Sequence, residues 1–352
     1  MKNSRSTCGN SACSLKARPE KVKVRYMSDS ATGNHPVYAL AAGDYRAEIA
    51  GVGGGIKALT YSGRDLVETY PDGAHAPAAC GVVLAPWPNR TEDGQFSWAG
   101  EQHQLPITEP ERNNAIHGFV HDHLWECEWI EDGDAEVRLR TDIGPRSGWP
   151  WQIRLTATYR LGAGGLDTEY RAETDGCPAP FALGVHTYLS AGDCAIDDCC
   201  LQLAVEDNLP LGSRNLPCGQ LRPAEEVLPG IASGVPLAAA GAPGTCRDES
   251  GKVWLDHCFR GAHPVARVTR PDGHGVQLDP APGSQPGMRW IQVYTAPDFP
   301  DYRTGGGPSG PPRRALAVEP MSAPPNALAS GCDITTLRPG TPASFALRIR
   351  AF

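Results

Sequence analysis

The sequence predicts an all-β protein, largely antiparallel and built as two packed sheets. Three observations predict it. Apolar residues alternate with polar ones at period two along much of the chain. Sustained 3.6-residue periodicity is nearly absent. The 40 glycines and 33 prolines among 352 residues supply many turns between short strands, yet fall short of the content that marks a disordered chain.

The start of the chain is polar and basic, with Lys2, Arg5, Lys16, Arg18, Lys21, Lys23 and Arg25 and no apolar stretch of the secretory kind. Residues 1–35 are therefore expected to form a disordered basic tail, an inert extension rather than a nucleic-acid arm, and residues 36–352 a single domain. Tyr45, Ala47 and Ile49 then alternate with polar neighbours until Gly51 to Gly55 breaks the pattern. Neither phosphate-loop spacing is satisfied there and no helical pattern follows, so a strand bend or bulge is predicted. Trp125, Cys127 and Trp129, then Ala135, Val137 and Leu139, mark further strands.

The clearest strand is Ile153, Leu155, Ala157, Tyr159 and Leu161, interleaved with Gln152, Arg154, Thr156, Thr158 and Arg160. Gly162 to Gly165 makes the turn into Leu166, Thr168, Tyr170 and Ala172, a hairpin whose exposed rows carry opposite charge. Phe345, Leu347 and Ile349 close the chain as a last strand. Residues 230–244 and 297–312, rich in glycine and proline, are expected to be exposed, mobile loops, the second a passive insertion ahead of residue 319.

A net charge of −8 and a pI near 5.7 argue against nucleic acid or an anionic membrane surface as partner and favour a neutral ligand. No apolar run reaches the length of a membrane span, so a soluble, cytoplasmic protein is expected. The 12 cysteines are scattered and expected to be reduced. Cys194, Cys199 and Cys200 cluster, but no paired motif completes a zinc site, and no metal is expected.

Chemistry is expected around Ala315 to Leu328, where Leu316 and Val318 share one strand face and the carboxylate of Glu319 takes the other. Pro320, Pro324 and Pro325 predict that the chain turns away directly after Glu319. In Leu183 to Tyr188, His186 shares a face with Gly184 and Tyr188, and Gly184 is expected to leave room for something to approach the imidazole. Trp290, Gln292 and Tyr294 form a second such face, whose rings and amide suit a sugar: C–H faces stack on aromatics and hydroxyls need partners. Asn89 and Arg90 follow Pro86-Trp87-Pro88, offering a planar donor fork. His117 lies in a loop between amides and glycine, and Asp256 follows the apolar Val253, Trp254 and Leu255. Taken singly, a structural histidine, a surface arginine and a capping aspartate explain these residues as well.

Together and in this order, the segments PWPNRTEDGQF, NNAIHGF, GVHTYL, LDHCF, IQVYT and AVEPMSAPPNAL resemble the aldose 1-epimerase (galactose mutarotase) family, from about Tyr38 to the C-terminus. The resemblance implies a galactose mutarotase-like β-supersandwich. It implies interconversion of the α and β anomers of a free aldohexose of glucose or galactose type, without cofactor. It implies Glu319 as general base and His186 as general acid, with Arg90, His117 and Asp256 binding hydroxyls; Asn89, Gln292 and Tyr294 join them as expected sugar contacts. The reaction needs an acid and a base on opposite sides of one pyranose. The family usually has proline after the acid histidine and an aromatic two residues further on, where this chain has Thr187 and Leu189. The expected partner is the sugar alone, with a monomer or homodimer as assembly. The alternatives are a hexose-6-phosphate 1-epimerase drawing on Arg289, Arg313 and Arg314, a glycosidase recruiting Asp256 as second carboxylate, and a catalytically silent sugar-binding or regulatory protein.

Overall fold

The computed structural model describes residues 23–29, 33–131, 135–238, 246, 248–249, 252–281, 287–302 and 312–352. Among these the chain is largely antiparallel strand, with two helices of four residues each, Ala224–Val227 and Ala327–Ser330. None of the described helices is long and apolar enough to cross a membrane.

The expected hairpin is formed by Ile153–Gly162 and Gly165–Glu173, with Leu161 opposite Leu166 and Arg160 opposite Asp167. It lies inside a nine-stranded sheet that also contains Glu126–Glu131, Glu136–Ile143 and the C-terminal Ala343–Ala351. An eight-stranded sheet packs against it and carries Asp256–Arg260, Trp290–Phe299, Arg313–Met321 and the short pieces Gly184–Val185 and Tyr188–Leu189. Val185, Ile291, Val293, Leu316 and Val318 of the second sheet join Leu155, Tyr170, Phe345 and Leu347 of the first in one buried cluster. Burying each such side chain contributes about 1.5–3 kcal/mol relative to exposure, which makes this shared face the main force locking the sheets together.

A five-stranded sheet runs from Lys23–Asp29 to Arg64–Asp65. This corrects the expectation of a free tail to residue 35, because Lys23 pairs with Ala39 and Asp29 with Gly33; residues 1–22 lie outside the described part. The register shifts between Glu48 and Ile49, at the bend expected beside the glycine run. Gly54, at φ 55°, is required for a further reason: a Cβ there would lie 2.5 Å from the Trp125 ring. Two loop expectations need correction as well. Ile231, Val235 and Leu237 are buried, and Val235–Pro236 pairs with Cys200 and Leu201. Residues 297–299 continue a strand that ends in the buried Phe299, while 239–245 and 303–311 lie outside the described residues.

Arg313–Met321 is central in its sheet, between Trp290–Phe299 and the two short pieces. The strand therefore runs two residues beyond Glu319 instead of stopping there. Pro320 is tolerated because its neighbour on that side is itself interrupted at His186 and Thr187, so a missing backbone donor costs little ladder there. Backbone bonds from Val318 N–H to the Thr187 carbonyl and from Ser322 N–H to the Leu183 carbonyl, each 2.8 Å, hold the register across the gap.

Candidate active site

The register of these strands assembles the site. Gly184 pairs with Met321 and Tyr188 with Ala317, which sets His186 across from Glu319; on the other side Glu319 faces Gln292, and Gln292 faces Cys258. Residues directly opposite one another across a ladder point to the same face. His186 Nε2 accordingly lies 3.5 Å from Glu319 Oε1, with the residues 7% and 3% exposed. The His186 backbone is fixed from the far side, donating to the Val82 carbonyl at 2.9 Å and accepting from Gly81 N–H at 2.8 Å. Side by side on adjacent segments of one sheet face, the two side chains cannot flank a ring from opposite sides. They can address two oxygens bonded to one carbon.

Burial acts on both groups in the direction of neutrality. It raises the Glu319 carboxyl to about 8, with Asp256 adding to the rise and Arg90 opposing it. It lowers the His186 imidazole to about 4. His117, whose ring meets that of His186 edge-on at 5.4 Å, is held well below its ordinary value by burial, then by His186 and Arg90. Glu319 Oε2, Gln292 Oε1, His186 Nδ1, His117 Nδ1 and Tyr188 Oη are buried with no hydrogen-bond partner among the described residues. An unsatisfied buried polar atom costs about 1–3 kcal/mol, so such a concentration on one face marks a surface made for a polar ligand.

Loops border this face. Pro88 packs on Gly184, where a Cβ would lie 2.6 Å from the proline Cβ. The glycine thus makes room for the Pro86–Arg90 loop, and not for a ligand as its sequence position suggested. Gly184→Ala should cost about 1–3 kcal/mol by overpacking, measured by urea unfolding; undiminished stability would mean the loop is not seated on that residue. Asn89 is buried at φ 54°, its carbonyl accepting from His117 N–H at 2.9 Å, so it positions its neighbours through the backbone. The Arg90 guanidinium grips Glu109 with two bonds of 2.8 Å, Nε to Oε2 and Nη2 to Oε1. Burial would raise the Glu109 carboxyl, but hydrogen bonds from Arg90, Asn114 and Arg112 bring it below the usual carboxylate value.

Asp256 accepts from Gln292 Nε2 at its Oδ1 and from Asn215 Nδ2 at its Oδ2, both at 2.6 Å. Tyr294, opposite Asp256 in register, is half-buried and free to stack. Trp290 is not: it is 2% exposed, packs with Cys258 and Met321, and donates Nε1–H to Asp333 Oδ2 at 2.8 Å. All eight residues expected at the site thus belong to one neighbourhood. Glu109, Asn114 and Asn215 escaped the sequence reading, since a buried partner for an arginine or aspartate has no local pattern. Of the two departures from the family pattern, Leu189 sits in the core between the sheets and Thr187 is 1% exposed with Oγ1 unpartnered. A hollow of about 280 Å³ has His117 in its lining but neither Glu319 nor His186.

Comparison with known proteins bears on the family and the fold. A family model described as aldose 1-epimerase matches residues 36–350. The uncharacterized protein YihR of Escherichia coli strain K12 is 30% identical over 306 residues, 86% of this chain and 89% of that one. Galactose mutarotase of Rattus norvegicus is 29% identical over 152 residues, only 41% of this chain and 43% of its own length. Among solved structures, a galactose mutarotase-like protein from Clostridium acetobutylicum superposes with a TM-score of 0.76 at 17% identity, covering 94% of this chain and 99% of that one. Galactose 1-epimerase from Lactobacillus acidophilus NCFM gives 0.76 at 16% identity, covering 94% and 98%. At such identities the structural likeness is one of fold.

Proposed function

Because the chain belongs to the aldose 1-epimerase family, we propose that it interconverts the α and β anomers of free aldohexoses of the glucose and galactose type by general acid–base ring opening and closure. The observation that carries this reading is the buried Glu319–His186 pair at 3.5 Å on a face of unpartnered polar atoms. In opening, from the arrangement in which the pair's one proton stands on His186, Glu319 takes the proton of the anomeric hydroxyl, and His186 gives one to the ring oxygen. The C1–O5 electron pair leaves with that oxygen, and C1 becomes an aldehyde. Rotation about C1–C2 and closure with the roles exchanged yields the other anomer. O1 and O5 share one carbon, which suits an acid and base standing side by side. The proton count balances with these side chains alone.

The pair works while it holds one proton. A second proton removes the base, and loss of the last removes the acid. With burial lowering His186 to about 4 and raising Glu319 to about 8, one proton is retained between these values, assigned to the pair as a whole. Polarimetry on freshly dissolved α-glucose and α-galactose, corrected for the uncatalysed rate, should show kcat/KM level across this window and declining on either side. A rate that keeps climbing beyond pH 9 would contradict a shared proton.

Phosphorylated sugars fit less well. Arg313 is engaged by Glu68 and by Asp301 at 3.4 Å, and Arg314 by Asp197 and the Val253 carbonyl, while Arg289 is exposed. Arg90, whose charge acts on Glu319 and His117, is occupied by Glu109. Free phosphate should therefore leave turnover of glucose and galactose unaffected.

A further inference from the structure

Hydrogen bonds run unbroken from Arg90 to Asp256 through a turn that the proposed reaction does not use. Asn215 sits in it at φ 54°, its N–H closing on the Gly212 carbonyl at 2.8 Å. Arg214 fastens the turn to the loops on one side of the site: Nη2 donates to Asp93 Oδ1 at 2.7 Å and to the Asn113 carbonyl at 3.0 Å, and Nε to the Arg112 carbonyl at 2.9 Å. Asn114 donates back to the Arg214 carbonyl at 3.2 Å and to Glu109 Oε2 at 2.9 Å, and Glu109 grips Arg90. On the other side the Asn215 amide meets Asp256.

We propose that Asn215 is a positioning residue for sugar recognition, fixing the Asp256 carboxylate at a set distance from Arg90 so that it receives two neighbouring hydroxyls of the pyranose. This rests on the sugar reading of the site. Each Asp256 oxygen already accepts one amide N–H, from Gln292 or from Asn215. Two such bonds stop the carboxylate from rotating and leave each oxygen with capacity for one more donor. Hydrogen bonds to charged groups are stronger than neutral ones, so losing the Asn215 amide loosens the acceptor. A carboxylate in its place repels it. Neither change touches the Glu319–His186 pair, so the effect falls on binding more than on the chemical step.

The test compares wild type, Asn215→Ala, Asn215→Asp and the double variant Asn215→Asp/Asp256→Asn, reading KM and kcat by polarimetry and galactose affinity by calorimetry. Asn215→Ala should raise KM about tenfold and Asn215→Asp about thirtyfold or more, with kcat within about threefold of wild type. The double variant, which exchanges amide and carboxylate across the same contact, should recover about tenfold of the KM lost in Asn215→Asp. Two results would overturn the proposal: KM and affinity within twofold of wild type in both single variants, or a kcat loss larger than the KM change. A wild type that binds galactose without turning it over ends the mutarotase reading alone; weaker binding by the Asn215 variants then still supports the positioning role. A wild type that does neither removes both.

Discussion

Glu319→Gln should lower kcat for glucose and galactose anomers by at least about two orders of magnitude, the usual contribution of a positioned base, with KM changed much less. The amide keeps the size and hydrogen-bonding reach of the carboxyl beside His186 and Gln292; it loses only the ability to take a proton. Stability separates lost chemistry from lost fold. The folded carboxyl is raised from an ordinary 4.5 to about 8 by burial, so the stabilising contribution is complete below about 4.5 and is lost as pH rises through about 8. Glutamine has no such loss. Thermal unfolding should therefore find the variant gaining on wild type from pH 5 upward and the more stable of the two at pH 9. A variant of undiminished turnover would remove Glu319 from the mechanism.

His186→Ala should cost kcat a similar factor of about 10². The truncation deletes the proton donor and opens space between Tyr188, whose ring stacks on the imidazole at 5.3 Å, and His117 at 5.4 Å. Imidazole added to the buffer should enter that space and restore part of the turnover, because it supplies a proton carrier of the right size. The same variant should replace the level window by a rate that falls as pH drops below about 8, because Glu319, raised to that value by burial, must then ionise on its own to act as base. Turnover close to wild type without added imidazole would show that another group delivers the proton.

Much of this was legible in the chain. Alternation over Ile153 to Leu161 and Leu166 to Ala172 specifies a hairpin, because a slip of one residue would turn the apolar row to solvent. Alternation likewise put Glu319 on the face opposite Leu316 and Val318, and grouped His186 with Tyr188. It could not bring residue 186 against residue 319. That pairing is a choice among strands distant in sequence, and local periodicity is silent about which strands are neighbours. Proline misled for a related reason: Pro320 reads as a stop when the strand is considered alone, and is accommodated because the adjoining strand is broken beside it. Trp290 has the pattern of a ligand platform yet lies beneath other side chains, since period two assigns a face but not what covers it. Glu109, Asn114 and Asn215 are loop residues whose partners exist only after folding.

On the proposed reading the reactive pair lies near the centre of a sheet, Glu319 on a strand and His186 in the short break of the segment beside it, with Asp256, Gln292 and Tyr294 on neighbouring strands, whereas Arg90 closes one connecting segment and His117 and Asn215 arrive on others. On that reading, part of the sugar recognition is anchored outside the sheet that carries the reactive pair. A lineage with this layout can revise the monosaccharides it accepts by editing its connecting segments, inheriting the reactive centre untouched.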